Sequence, residues 1–263
     1  MVEANLNGIR VRFEDVGAGP ALLLLHAFPL SAAMWRPQVA ALQERYRVIV
    51  PDLRGFGGSD APPGPYPMDT LADDAAALLA HLGVPRAVVV GLSMGGYIAF
   101  AFWRRHQDQV AALVLADTRA GADSEEGRAT RETNARLAEE QGAGAIADKL
   151  IPNLVAAGAS PALRAELRAL ISANSPDGIA GALRGMAARP DSSADLAGIA
   201  VPLLAIVGEE DTLTPPAEAE RIVAAVPRGT LVRIPGAGHL SNLEQPAAFN
   251  AALLGFLAGL GNW

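Results

Sequence analysis

Residues 88–96 read Val88-Val89-Val90-Gly91-Leu92-Ser93-Met94-Gly95-Gly96, and Tyr97–His106 continues with helical character. A β-branched apolar run that ends in Gly-x-Ser-x-Gly and passes into a helix reads as a buried strand making a sharp turn. Glycines flank the serine because a β-carbon in so tight a turn collides with neighbouring backbone. Strain of this kind persists only where the surrounding structure enforces it, and it often marks a working site. Ser93 is therefore expected to present an exposed hydroxyl at the mouth of a sheet, beside the positive end of a helix. Taken alone, the same residues also read as a Gly/Ser-rich turn with no chemistry. The rest of the chain decides.

Upstream, Val2–Leu6 and Ile9–Val16 read as a hairpin joined by Asn7-Gly8, two residues that tolerate positive φ. Ala21–Leu25 is a continuous apolar run, as in a strand buried on both faces, and it ends in His26-Ala27-Phe28-Pro29. A helix containing Trp35–Glu44 and a strand at Arg47–Val50 follow. The loop Leu53–Pro65 holds Gly55-Phe56-Gly57-Gly58, which lacks the full G-x-G-x-x-G spacing and runs into Pro62-Pro63, so it is not read as a nucleotide loop. Met68–Leu82 reads as a helix with Asp69 or Thr70 as its N-cap.

Downstream, Val110–Ala116 is a buried strand ending at Asp117. Pro202–Val207 is a strand ending in Gly208-Glu209-Glu210-Asp211, and Pro215–Val226 reads as a helix. Thr230–Ile234 is the last strand, ending in Pro235-Gly236-Ala237-Gly238-His239, and Glu244–Leu257 is the closing helix. This alternation predicts an α/β fold: a mostly parallel eight-stranded sheet with helices on both faces. It breaks between Thr118 and about Gly198, where Ala-rich helical stretches replace strands: Glu125–Gln141, Ala143–Leu150, Pro161–Ala173 and Pro176–Ala188. The expected division is a core of residues 1–117 and 199–263 and a helical cap of residues 118–198, an insertion lying over the sheet edge.

Composition narrows the chemistry. At 263 residues and 51% hydrophobic, the chain can bury a full core and is too apolar for a disordered one. It has no cysteine, which excludes disulfides, thiol nucleophiles and Cys-ligated metals. A formal net charge of −7 argues against a nucleic-acid partner, which needs a basic footprint. Met1–Asn5 has neither a basic n-region nor an apolar h-region, and no apolar run reaches the roughly 18 residues that span a bilayer. A cytoplasmic protein without membrane contact is expected.

Reactive residues of α/β sheets collect at the carboxyl ends of strands. Here those ends carry His26-Ala27-Phe28-Pro29, Ser93, Asp211 and His239. A serine hydroxyl is a poor nucleophile until a base removes its proton during attack. An imidazole titrates near neutral pH and can later return that proton to a leaving group. A carboxylate behind the imidazole fixes its tautomer and stabilises the imidazolium. His239 lies in an irregular Gly-Ala-Gly-His loop and suits the base; His81 and His106 sit in helical segments and read as ordinary helix histidines. Asp211 is favoured as the acid, although it also reads as an Asx-turn residue and has Glu209 and Glu210 beside it. Asp117 also ends a strand and stands as the rival.

The order Ser93…Asp211…His239 is that of an α/β-hydrolase triad. On these motifs the chain resembles the α/β-hydrolase family, and within it small bacterial serine carboxylesterases and 3-oxoadipate enol-lactonases. The resemblance covers roughly residues 9–117 and 200–258. It implies an oxyanion hole from the N–H groups of Phe28 and Met94. The family carries His-Gly before the first donor; here the glycine is Ala27, while His26 reads as a residue bracing the loop. The resemblance implies hydrolysis of small carboxylic esters through an acyl-enzyme on Ser93, with no metal, no organic cofactor and a small-molecule ester or lactone as partner. An enol-lactonase, a carbon–carbon bond hydrolase and a ligand receptor on the same fold are the alternatives. A lactone bearing a carboxylate needs a cation, and the cap offers Arg128, Arg131, Arg136, Arg164, Arg168, Arg184 and Arg189. Some relatives carry the triad acid at the position of Asp117.

Overall fold

In the computed structural model, which describes residues 1–261, eight strands form one sheet in the order β1-β2-β4-β3-β5-β6-β7-β8. Strands β1 (Val2–Leu6) and β2 (Ile9–Val16) form an antiparallel hairpin, with Asn7 and Gly8 at φ +47° and +78°. Strand β3 (Ala21–Leu25) is fully buried. A short 3-10 turn then leads into α1 (Arg36–Leu42), and β4 (Arg47–Pro51) returns parallel to β3 and antiparallel to β2. Helix α2 (Met68–His81) starts behind Pro67, whose ring sets the entering φ. Asp69 therefore lies in the first turn, and neither it nor Thr70 caps the helix.

Strand β5 (Ala87–Leu92) and α3 (Met94–His106) are separated by Ser93 alone, so the helix begins three residues before Tyr97. Strand β6 (Val110–Ala116) lies beside β5 and is buried throughout. Three helices follow. In α4 (Glu125–Leu154), Gly142 at φ +81° and ψ 175° interrupts the helical dihedrals between its two halves. Helices α5 (Pro161–Ser172) and α6 (Pro176–Ala187) each open with a Ser-Pro pair, the serine side chain capping the first turn and the proline pre-set for it. The sheet resumes with β7 (Leu203–Gly208), α7 (Pro216–Ala225) and the edge strand β8 (Gly229–Ile234). A single turn, α8 (Ser241–Glu244), precedes the closing helix α9 (Pro246–Gly259).

From β3 to β8 the strands run parallel, and their order reverses between β3 and β5. The crevice at such a reversal, outside the carboxyl ends, is where ligands settle in open α/β sheets. Ser93 and Phe28 stand at the two ends that flank it. The helical segment is seated over these carboxyl ends, not over the sheet edge. Asn174 bonds Pro29 O and Gly57 N at 2.8 Å each, Tyr66 N donates to Gly181 O at 3.0 Å, and Ala156 N donates to Glu244 at 2.8 Å. The segment thus holds the loops after β3, β4 and β8. Long apolar strands bury their surface against helices on the faces, leaving only the strand ends for further packing.

Candidate active site

Ser93 has φ +55° and ψ −112°, a conformation that costs a non-glycine residue about 1–3 kcal/mol. Its backbone is pinned accordingly. Ser93 N donates to Ala116 O at 2.9 Å, and Ser93 O accepts from Gly96 N at 2.9 Å and Thr118 Oγ1 at 2.8 Å. A β-carbon on Gly91 would strike Gly95 O, and one on Gly95 would strike Leu25 O, so strand, turn and helix approach too closely for any side chain there. Ser93 as a whole residue is 9% accessible.

His239 Nε2 lies 2.8 Å from Ser93 Oγ, and His239 Nδ1 lies 2.8 Å from Asp211 Oδ2. A carboxylate only accepts, so Nδ1 carries the proton and Nε2 of the neutral ring faces the Ser93 hydroxyl as acceptor. Asp211 serves its turn and the imidazole at once. Its Oδ1 accepts from Leu213 N at 2.8 Å and Thr214 N at 2.9 Å, while Oδ2 also accepts from Thr214 Oγ1 at 2.6 Å. The Asx-turn reading and the acid reading are therefore compatible.

Burial alone would raise the Asp211 pKa, but the His239 ring and the Thr214 donors outweigh it and hold the carboxyl below its usual range. Burial would pull His239 down, but the bond to Asp211 and its charge lift the imidazole above its usual value. Asp117, the rival acid, makes no hydrogen bond to His239: its oxygens are taken by Gly208 N at 2.8 Å and Ser241 Oγ at 2.5 Å.

His26 braces the loop that carries Phe28. Its Nε2 accepts from Leu53 N and its Nδ1 donates to Ala27 O, both at 3.0 Å, with the Phe56 ring edge-on at 5.3 Å. Complete burial lowers its pKa to about 4, so His26 is neutral and has no free nitrogen for a second base. Ala27 takes the place of the family glycine without exposure, its N–H meeting Met34 Sδ at 3.1 Å. Among the described residues, neither the Phe28 nor the Met94 N–H is engaged by another backbone group.

Five of the seven candidate arginines pair with carboxylates of the helical segment itself. Arg131 and Arg189 pair with the buried Asp123, Arg184 with Glu132 and Glu139, Arg136 with Glu132, and Arg168 with Asp148. Arg164 binds backbone carbonyls of residues 156, 157 and 159, and Arg128 is exposed. Arg189 also lies 4.0 Å over the ring of Tyr97, one turn beyond Ser93. Sequence reading missed Thr118, Thr214 and Glu244. Thr214 carried a local signal, an Asp-x-x-Thr spacing typical of a side-chain-capped turn; Thr118 and Glu244 act across the fold and carried none. No group of three or more His, Asp or Glu side chains is placed to hold a metal ion among the described residues, and no helix there is long and apolar enough to cross a membrane.

Residues 20–246 match the alpha/beta hydrolase fold family. A 3-oxoadipate enol-lactonase of Acinetobacter baylyi is 32% identical over 89% of this chain and 87% of its own. Among solved structures, a thermophilic esterase from Thermogutta terrifontis, described with malate bound, is 41% identical with a TM-score of 0.95 over 98% of both chains. An enol-lactonase from Burkholderia xenovorans LB400 is 32% identical with a TM-score of 0.91, over 98% of this chain and 100% of its own.

Proposed function

The chain belongs to the alpha/beta hydrolase fold family, and we propose that it is a serine hydrolase that cleaves small carboxylic esters through an acyl-enzyme. Hydrolysis as the class of activity is supported by full-length relatives that are esterases and enol-lactonases. The single observation that carries the finer reading is the run Ser93 Oγ–His239 Nε2–His239 Nδ1–Asp211 Oδ2, with 2.8 Å at each hydrogen bond.

In the first half-reaction Ser93 Oγ attacks the ester carbonyl while His239 Nε2 takes the hydroxyl proton. Asp211 stabilises the imidazolium that forms. The N–H groups of Phe28 and Met94 receive the oxyanion, a contribution worth about 3–4 kcal/mol per donor in such sites. Collapse of the tetrahedral species expels the alcohol, which takes its proton from His239. Water then attacks the acyl-enzyme with His239 again as base, and the acid leaves. In this reading residues 118–198 act as a cap over a core of residues 1–117 and 199–263, closing the site against bulk water.

The test is steady-state hydrolysis of short, medium and long p-nitrophenyl esters and of an enol-lactone, for wild type and Ser93→Ala. Repeated turnover of short esters, lost in Ser93→Ala, is expected. Because His239 must be neutral to act and its pKa is raised, kcat/KM should climb through a limb above the usual imidazole value of about 6.5. A single slow burst in the wild type, or unchanged turnover in Ser93→Ala, overturns the reading. The second reading, an enol-lactonase, is favoured by the two lactonase relatives; a strong preference for the lactone in the same assay selects it. Against it stands the internal pairing of the cap arginines, which leaves only the exposed Arg128 of that set without a partner among the described residues.

A further inference from the structure

We infer that Asp117 is a positioning residue whose carboxyl ties the strand end leading to Asp211 to the loop carrying His239, holding acid and base in register for Ser93. The inference rests on the serine-hydrolase reading above. Asp117 directly follows β6, which lies between β5 and β7, the strands that deliver Ser93 and Asp211. Its φ of +45° is left-handed, a conformation aspartate tolerates better than most side chains, and it turns the carboxyl inward where the residue is 1% accessible. Oδ1 accepts from Gly208 N at 2.8 Å, on the last residue of β7 and three positions before Asp211. Oδ2 accepts from Ser241 Oγ at 2.5 Å and Ser241 N at 3.3 Å, two positions after His239.

The same corner also grips the nucleophile turn. Ala116 O accepts from Ser93 N at 2.9 Å, and Thr118 Oγ1 donates to Ser93 O at 2.8 Å. Residues 116–118 therefore bond to all three loops that meet at the site. Asp117 is the member that spans two of them with one side chain. Removing it frees two loops relative to each other, and an error of about 1 Å in such a constellation costs about 100-fold in rate.

The carboxyl also acts through charge. Burial, and then the neighbouring Asp211, push its pKa up to about 7, so its ionisation overlaps the working range of the imidazole. Three carboxyls surround His239: Asp211 in direct contact, with Asp117 and Glu244 beyond it. Glu244 is held by Gly238 N at 2.9 Å and Ala156 N at 2.8 Å, and burial raises its pKa. An ionised Asp117 favours the imidazolium, so losing that charge lowers the His239 pKa and moves the acid limb of activity to lower pH. A residue that merely fills space would not move that limb.

Three variants separate tie from charge. Asp117→Asn keeps an acceptor for Gly208 N and offers Ser241 Oγ a donor; kcat should fall less than about tenfold while the acid limb moves to lower pH. Asp117→Ala removes both ties, and kcat should fall about 100-fold with KM for a neutral ester nearly unchanged. Ser241→Ala removes one tie and should fall between them. Thermal melts identify folded variants, and if the alanine variant does not fold the other two decide. Wild-type kcat and an unmoved limb in Asp117→Asn and Ser241→Ala overturn the inference, even where Ser93→Ala is inactive. An Asp117→Asn loss as deep as that of Asp211→Asn overturns the acid assignment itself, making Asp117 the triad acid.

Discussion

The sheet and the helical segment above it hold their halves of the site by different physics. Strands β3, β5, β6 and β7 are buried at every position and carry no charged side chain between Ala21 and Leu25, Ala87 and Leu92, Val110 and Ala116, or Leu203 and Gly208. Their polar groups wait at the carboxyl ends, where backbone geometry is fixed by the ladder beneath. The helical segment also buries apolar side chains, Ile146, Leu167, Ile179 and Leu183 among them, but adds directional contacts that those strands lack. These are a buried ion cluster at Asp123, Arg184 of α6 paired with Glu132 and Glu139 of α4, Asn174 reaching to core loops, and Ala156 N held by Glu244 of the core. Non-directional burial gives a rigid platform that tolerates exchange of one aliphatic residue for another. Directional pairs give a structure that single substitutions can loosen. Substitutions at the strand ends should therefore act on rate, and substitutions in the helical segment on stability.

The deepest effect is expected at a strand end. Asp211→Asn preserves the shape of the turn but replaces the carboxylate that orients His239, and kcat should fall about 10⁴-fold with the melting temperature little changed. Steady-state kinetics beside a thermal melt measures both. A collapse in stability matching the loss of rate would break the contrast, placing Asp211 among structural supports. Its Oδ1 contacts to Leu213 N and Thr214 N survive in asparagine, which is why stability should hold.

Next comes the buried cluster at the root of the helical segment. Asp123 takes Arg119, Arg131 and Arg189, and its side chain is 1% exposed beside 3% for Arg189. Asp123→Asn leaves guanidinium charge buried without its counter-ion and should cost about 3–5 kcal/mol of stability. Burial by itself would raise the Asp123 pKa; the Arg131 and Arg189 bonds outweigh it and hold the carboxyl far below its usual range. A depressed folded pKa means that the contribution is fully present above the unfolded value near 3.9 and is lost as pH falls further. The difference in melting temperature between wild type and Asp123→Asn should therefore narrow below about pH 4. A constant difference down to pH 2 would deny the cluster its electrostatic role.

The same contrast explains what could be read in advance. Continuous apolar runs such as Ala21–Leu25 and Val110–Ala116 set the sheet, because a strand buried on both faces admits little else. The strand ends gave Ser93, Asp211 and His239 as candidates, because Gly-flanked turns leave their mark in adjacent residues. Thr118, which grips Ser93 O, and Glu244, which joins Gly238 to Ala156, were invisible: their partners are 25 and 88 residues away. The same separation hides where the helical segment sits. Nothing local in Asn174 says that it bonds Pro29 O across 145 residues. Nor does an arginine on an Ala-rich helix reveal whether it faces a pocket or, as Arg184 does, two glutamates of a neighbouring helix.

Arg184 supplies the smallest effect and the finest test. From α6 it reaches Glu132 at 3.0 Å and Glu139 at 2.5 Å, two residues on one face of α4, and all three side chains are between 34% and 39% exposed. At that exposure water screens the charges and the long side chains lose rotamer freedom in pairing, so Arg184→Ala should cost only about 0.5–1 kcal/mol. Screening adds a second signature: the deficit should shrink in 1 M salt, where the Debye length is about 3 Å. Turnover of a short ester should be unchanged, since Arg184 is committed to the helix–helix pairing. A deficit insensitive to salt would assign Arg184 a packing role through its aliphatic stem. A raised KM for carboxylate-bearing esters alone would place its guanidinium within reach of substrate and shift the proposed activity toward the lactonase reading.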